Sequence, residues 1–97
     1  MNVHNLNKAF ENRLRLGIMS VLIMNQEMNF NTLKELLNIT DGNLASHLKS
    51  LEEFGYVEVR KGFIGRKTNT TYVITQEGNE AFNLHLDALE QMIQGVR

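Results

Sequence analysis

Apolar residues recur along the chain first with a helical period, then with a period of two, then with a helical period again. Between Leu6 and Met24, Leu14, Ile18 and Val21 form one stripe, while Leu16, Met19 and Ile23 form another rotated about the axis. This spacing predicts a long first helix over about 6–24, capped by Asn5 or Asn7. A helix apolar on two sides is either the central helix of a core or one that shows its second stripe to a partner subunit. Asn25 to Asn29 is a polar connection, with room for a very short strand at Met28-Asn29-Phe30. Asn31 is then expected to cap a brief helix over 32–37, with Leu33, Leu36 and Leu37 inward, and Asn38 can take the left-handed conformation that ends it.

The stretch from Thr40 to Gly55 is marked as a helix at both ends. Thr40 suits the N-cap, Asp41 places a carboxylate at the positive end of the helix dipole, and Gly55 supplies a stop. Ile39 and Leu44 have the spacing of a hydrophobic staple. Leu44, Leu48 and Leu51 share one face, leaving Gly42, Asn43, Ser46, Lys49 and Ser50 on the other: small, neutral or basic, and able to donate hydrogen bonds. Two short helices joined by a tight turn over 31–55 make a helix-turn-helix, in which the first helix braces the second.

After Gly55 the residues alternate. Val57 and Val59 face one way and Glu58 and Arg60 the other, and a second strand is expected at Thr71-Tyr72-Val73-Ile74. Between these strands, residues 62–70 read as a loop too long for a minimal hairpin turn. Together, residues 56–75 make a basic wing. The expected fold is mainly α with a small β-hairpin, a winged helix-turn-helix with long N- and C-terminal helices in a single domain over residues 1–97.

The last helix, over 76–97, starts from Thr75 as its cap, with Glu77 in the first turn and Gly78 weakening that turn slightly. Phe82, Leu86, Leu89, Ile93 and Val96 recur at steps of four, three, four and three, a seam of about two heptads. Either the seam docks on the first helix or it packs against a second copy. Pairing with a second copy is favoured, because a winged-helix core looks complete before Phe82, and Leu6 and Phe10 could close the same interface.

Composition changes this picture only through its distribution. The 97 residues carry a formal net charge of −1 and no cysteine. Yet residues 60–70 hold Arg60, Lys61, Arg66 and Lys67 with no acid, whereas from Gln76 onward Glu77, Glu80, Asp87 and Glu90 face only Arg97. One end is basic and the other acidic, which suits a polyanionic partner at the wing. No disulfide framework or thiolate metal site can form. His4, His47 and His85 have no partners at convincing ligand spacing; His85 with Asp87 or Glu90 could be read as part of a metal-sensing site, but Asp87, two residues away on a helix, points elsewhere and no cysteine helps. No phosphate-binding glycine loop or activated serine is visible, so neither an enzyme nor a cofactor is expected. No apolar run is long enough to span a membrane and no secretory signal opens the chain, so a cytoplasmic location is expected.

The segments Asp41-Gly42-Asn43-Leu44-Ala45-Ser46-His47-Leu48, Leu51-Glu52-Glu53-Phe54-Gly55-Tyr56-Val57, Phe63-Ile64-Gly65-Arg66-Lys67 and Thr75-Gln76-Glu77-Gly78 resemble the small winged-helix DNA-binding domain family, related to the MarR and ArsR groups of bacterial and archaeal transcriptional regulators. The resemblance runs from about Arg13 to the last helix and implies a dimeric DNA-binding regulator without enzymatic activity. Family wings often carry proline where this chain has Thr68. On the leading expectation, Asn43 and Ser46 reach base edges in a major groove, and Lys49 and Ser50 reach bases or phosphates. His47 lies at the border of the two faces and is expected more to pack or hold a hydrogen bond than to read a base. Arg60, Lys61, Arg66 and Lys67 supply the wing's charge, with Thr68, Asn69 and Thr70 adding hydrogen bonds to phosphates or the adjacent minor groove. Asn31 and Thr32 hold the backbone. The sequence also admits a protein-binding winged helix or a regulator that senses a small ligand between its long helices; its effector is not legible.

Overall fold

The structure, a computed structural model, describes residues 3–95. Where one long helix is expected at the start, two 3-10 turns, Val3–Asn5 and Lys8–Phe10, precede helix α1, Arg13–Asn25. Two asparagines cause the break. The Asn7 side chain accepts from the Ala9 N–H at 2.9 Å, and the Asn12 side chain accepts from those of Leu14 and Arg15 at 2.9 and 3.1 Å. Each offers the backbone a local partner in place of the helical one, so the helix restarts at Arg13. Within α1, Ile18, Met19 and Leu22 are fully buried. Helices α2, Phe30–Leu37, and α3, Asp41–Glu53, and strands β1, Glu27–Asn29, and β3, Lys67–Ile74, all pack on it. The two apolar stripes of α1 thus belong to a central core helix.

The cap of α2 is Asn29 rather than Asn31. Its side chain accepts from the Thr32 N–H at 2.8 Å, which starts the helix two residues early and leaves Asn31 inside the first turn. Leu33 is buried and Leu37, one helical step of four away, packs beside the core, but Leu36 falls on the rim and is 59% exposed. Asn38 ends the helix at φ 50°. Thr40 caps α3 by accepting from the Asn43 N–H at 3.2 Å, and Leu44, Leu48 and Leu51 enter the core.

Strand β2, Val57–Ile64, pairs antiparallel with β3, and β1 adds a short third strand on the other edge of β3. The wing is therefore ladder almost to its tip, from Val57↔Ile74 at the base to Ile64↔Lys67, in place of the long loop expected over 62–70. Only Gly65 and Arg66 turn the chain. Gly65 sits at φ 64° and Arg66 is not left-handed, the sign pattern of a type II′ turn, which matches the twist of the flanking strands.

Helix α4, Gln76–Gly95, begins at the base of the wing. The Thr75 hydroxyl donates to the Gly55 carbonyl at 2.7 Å and accepts from the Gly78 N–H at 2.9 Å, so one side chain closes the end of α3 and the start of α4 together. Gly78 is required here: a Cβ on it would lie 2.2 Å from the Tyr56 carbonyl oxygen. Phe10 and Phe82, expected at an interface between copies, instead meet edge-to-face inside the protomer, at a centroid separation of 5.2 Å, and are 2% and 3% exposed. The core is thus not complete before Phe82; the N-terminal segment folds back and closes it. Leu6 is half-buried beside it, Leu86 and Ile93 are 42% and 59% exposed, Leu89 is half-buried, and Val96 lies outside the described residues. The radius of gyration is 14.7 Å with extents of 55 × 25 × 21 Å. A compact chain of this length is expected nearer ~12.5 Å.

Candidate nucleic-acid interface

The exposed side of α3 presents Gly42, Asn43, Ala45, Ser46 and Lys49 to solvent. Its start is tied to α2 by a Lys34–Asp41 ion pair at 2.8 Å, both partners substantially exposed, which fixes geometry more than it stabilises. Ser50 is half-buried and its hydroxyl donates to the Ser46 carbonyl at 3.2 Å, so it is partly occupied within the helix.

His47 packs against Arg15 of α1. The Arg15 Nε donates to the Ala9 carbonyl at 2.6 Å, and its Nη1 lies 3.3 Å from His47 Nδ1. A guanidinium has only donors, so Nδ1 must accept and the imidazole proton sits on Nε2. Burial first, and the nearby Arg15 charge second, hold the His47 pKa below its ordinary value. Arg15 therefore joins the N-terminal segment to α3. Nothing in the sequence pattern distinguishes it from a solvated cation, because its partners are far away along the chain.

Register sorts the wing residues by face. Val57, Val59, Lys61 and Phe63 alternate onto one side of β2, opposite Ile74, Tyr72, Thr70 and Thr68 of β3; Glu58, Arg60, Gly62 and Ile64 take the other, with Lys67 and Asn69. Val57, Ile74 and Tyr72 on the first side meet the core, so Lys61 shares the side facing α3. Ala45, Leu48, Lys49 and Glu52 of α3 and Val59, Lys61 and Tyr72 of the hairpin line one open groove. Burial raises the Tyr72 pKa, with Glu52 adding to the shift. Arg60 lies on the reverse side, 3.8 Å from Glu58, so the four wing cations do not form one face. Arg66 occupies the turn and Lys67 the row beside it, both exposed.

A second open cleft joins the start of α2 to the wing, lined by Asn31, Thr32 and Glu35 with Thr68, Asn69 and Thr70. Asn69 is braced by its own amide donating to Thr71 Oγ1 at 3.2 Å. The Asn31 and Thr32 side of α2 and the polar wing residues expected from the sequence thus line one cleft, while Lys49 and Lys61 line the other groove. Two features escape a pattern-based reading: Glu52 inside the basic groove, and the exposed Phe63 and Ile64 at the wing tip. The signal for the second is a bulky apolar pair set between two glycines in an otherwise polar segment.

Among the described residues, no group of three or more His, Cys, Asp or Glu could hold a metal ion, and no helix is long and apolar enough to cross a membrane.

A braced helix-turn-helix followed by a basic hairpin defines a winged-helix domain, related to the MarR and ArsR groups of transcriptional regulators. The chain belongs to the family described as the winged helix DNA-binding domain, which it matches over residues 14–93. It is 39% identical over 89 residues to an uncharacterized protein of Methanocaldococcus jannaschii, covering 92% of this chain and 97% of that one. It also resembles the structure of a transcriptional regulator homologue from Pyrococcus horikoshii OT3, with a TM-score of 0.85, 34% identity, and coverage of 91% of this chain and 87% of that one. HlyU from Vibrio cholerae is similar with a TM-score of 0.64 and 27% identity over 79% of each chain.

Proposed function

We propose that this chain is a sequence-specific transcriptional regulator that binds DNA as a homodimer, with α3 in the major groove and the wing on the backbone or adjacent minor groove. The observation that carries the proposal is the placement of Lys49 and Lys61 on the two walls of one groove, between the polar face of α3 and the hairpin. A helix that enters a groove needs cations beside it to meet the phosphates, while short neutral side chains such as those of Asn43 and Ser46 approach base edges. Arg66 and Lys67, at the tip, extend the reach along the backbone. Asn31, Thr32, Thr68, Asn69 and Thr70 supply neutral donors from a second direction.

The homodimer is supported by the open apolar positions of α4. Leu86 and Ile93 remain exposed in the protomer and Leu89 is half-buried, apolar positions that a second copy would cover. Two copies related by a two-fold axis read a pseudo-palindromic site with half-sites about one helical turn apart. Selection of bound fragments from genomic DNA, with the mass of the complex measured in solution, tests both parts. Recovery of a two-fold repeated motif and a mass of two chains is expected. Recovery of no motif, or a single chain on DNA, overturns sequence-specific binding or dimeric binding respectively.

A further inference from the structure

We infer that Phe63 is an apolar wedge that enters the minor groove and unstacks one base step beside the site occupied by α3. The inference rests on the DNA-binding reading above and adds an interaction that charge and hydrogen bonding do not provide. Phe63 is 75% exposed and the neighbouring Ile64 is 68% exposed. A single exposed apolar residue is ordinary, but this pair ends a hairpin that projects beyond the core. The last row to meet the core on that side is Val59↔Tyr72, and Phe63 stands two rows further out, roughly 13 Å along the strand. Little of the ring is buried there, so folding gains little from it.

The surroundings of the ring are clear. Its cross-strand partner is the small Thr68, itself exposed. The register puts Phe63 on the same side as Lys61, which lines the groove beside α3. Arg60 is drawn to Glu58 on the reverse side, but Lys61, Arg66 and Lys67 surround the tip with no acid within residues 60–70, a charge that suits a polyanion better than a neutral apolar surface on another protein. Phosphates offer a phenyl ring nothing. The apolar surfaces of a duplex are the sugar walls of the minor groove and the faces of its bases, and apolar side chains flanked by cations reach the latter by partly opening a base step. With α3 in the major groove, the hairpin beside it meets the neighbouring minor groove, and Phe63 becomes the wedge.

The test uses the full chain and the duplexes that it selects from a random-sequence library, carrying a fluorescent adenine analogue that brightens on unstacking. Wild-type protein is expected to raise emission at one step in each half-site. Phe63→Trp should keep the signal. Phe63→Ala should abolish it and weaken binding roughly ten- to a hundredfold, the scale of removing one stack between a base and an aromatic ring, with the salt dependence unchanged. Because the ring is outside the core, circular dichroism should show the alanine variant folded. Unchanged emission and affinity in Phe63→Ala overturn the wedge and leave DNA binding standing. Failure of the wild type to select any duplex overturns the DNA-binding reading and the wedge with it. Loss of binding to phosphatidylglycerol vesicles in Phe63→Ala, with DNA binding intact, assigns the tip to a lipid surface and likewise overturns the wedge.

Discussion

Two histidines in this molecule are held as neutral acceptors. His47 Nδ1 receives Arg15, and His85 Nδ1 receives the Asn7 backbone N–H at 3.0 Å while its ring packs at 5.3 Å from Phe10. Burial lowers the pKa of both; Arg15 adds to the effect at His47, and Glu11 partly opposes it at His85. With the folded pKa depressed, the unfolded chain binds protons more readily, so stability is full above the ordinary histidine range and falls as the pH drops through it. Urea denaturation midpoints should therefore decline on acidification between about pH 8 and pH 5. His85→Asn, whose amide oxygen can replace the acceptor without titrating, should flatten that slope. A midpoint that rose on acidification would refute the assignment. Gly78 argues the same way from sterics. In the sequence it reads only as a soft first turn, yet Gly78→Ala should cost about 3 kcal/mol or more in chemical unfolding, because its methyl would strike backbone that cannot rotate away. Close approaches of this kind are invisible in sequence, since the glycine and the Tyr56 carbonyl are distant along the chain.

At the level of elements, the helix-turn-helix is legible in the sequence and the wing only half so. Thr40, Asn38 and Gly55 act through local hydrogen bonds and backbone conformation, so their signals survive without knowledge of the rest of the fold. Beyond Val59 and Tyr72 the hairpin leaves the core. No burial then imposes an apolar–polar alternation, and Gly62-Phe63-Ile64 reads as loop although it is ladder. Asn12 and Asn29 do not stand out as caps because each is one of several asparagines near a helix start. On the proposed DNA-binding reading, α3 and the wing should respond differently to substitution. Alanine at both Arg66 and Lys67 should weaken binding to all duplexes and reduce the salt slope by about one for each phosphate no longer neutralised. Alanine at Asn43 or Ser46 should relax sequence preference at a comparable slope, costing roughly 1–3 kcal/mol of discrimination at the base concerned. Titrations of specific and scrambled duplexes at several salt concentrations separate the two outcomes.

The whole molecule divides α4 between two tasks. Phe82 and His85 close the protomer core with the N-terminal segment, whereas Leu86 and Ile93 stay open. Periodicity alone joins Phe82 to the outer seam, because a step of four keeps the two sets on overlapping faces; only the folded-back N-terminus separates them. In the proposed homodimer, Ile93→Glu should shift the solution mass from two chains to one and lower the unfolding midpoint only by what pairing itself contributes. Phe82→Ala should instead destabilise the chain by about 3–5 kcal/mol whatever its mass. Sedimentation and urea unfolding of the two variants check this division.

The Thr75 hydroxyl, clasped between Gly55 and Gly78, has a consequence at the largest scale. It fastens the end of α3 directly to the start of α4, with no pliant linker between the part that would read DNA and the part that would pair. In a homodimer built on α4, the two recognition helices become the jaws of a fixed calliper, and their separation is set by hydrogen bonds inside each protomer. Such an assembly measures the interval between half-sites as strictly as it reads their bases, and rejects a correct sequence laid out at the wrong distance.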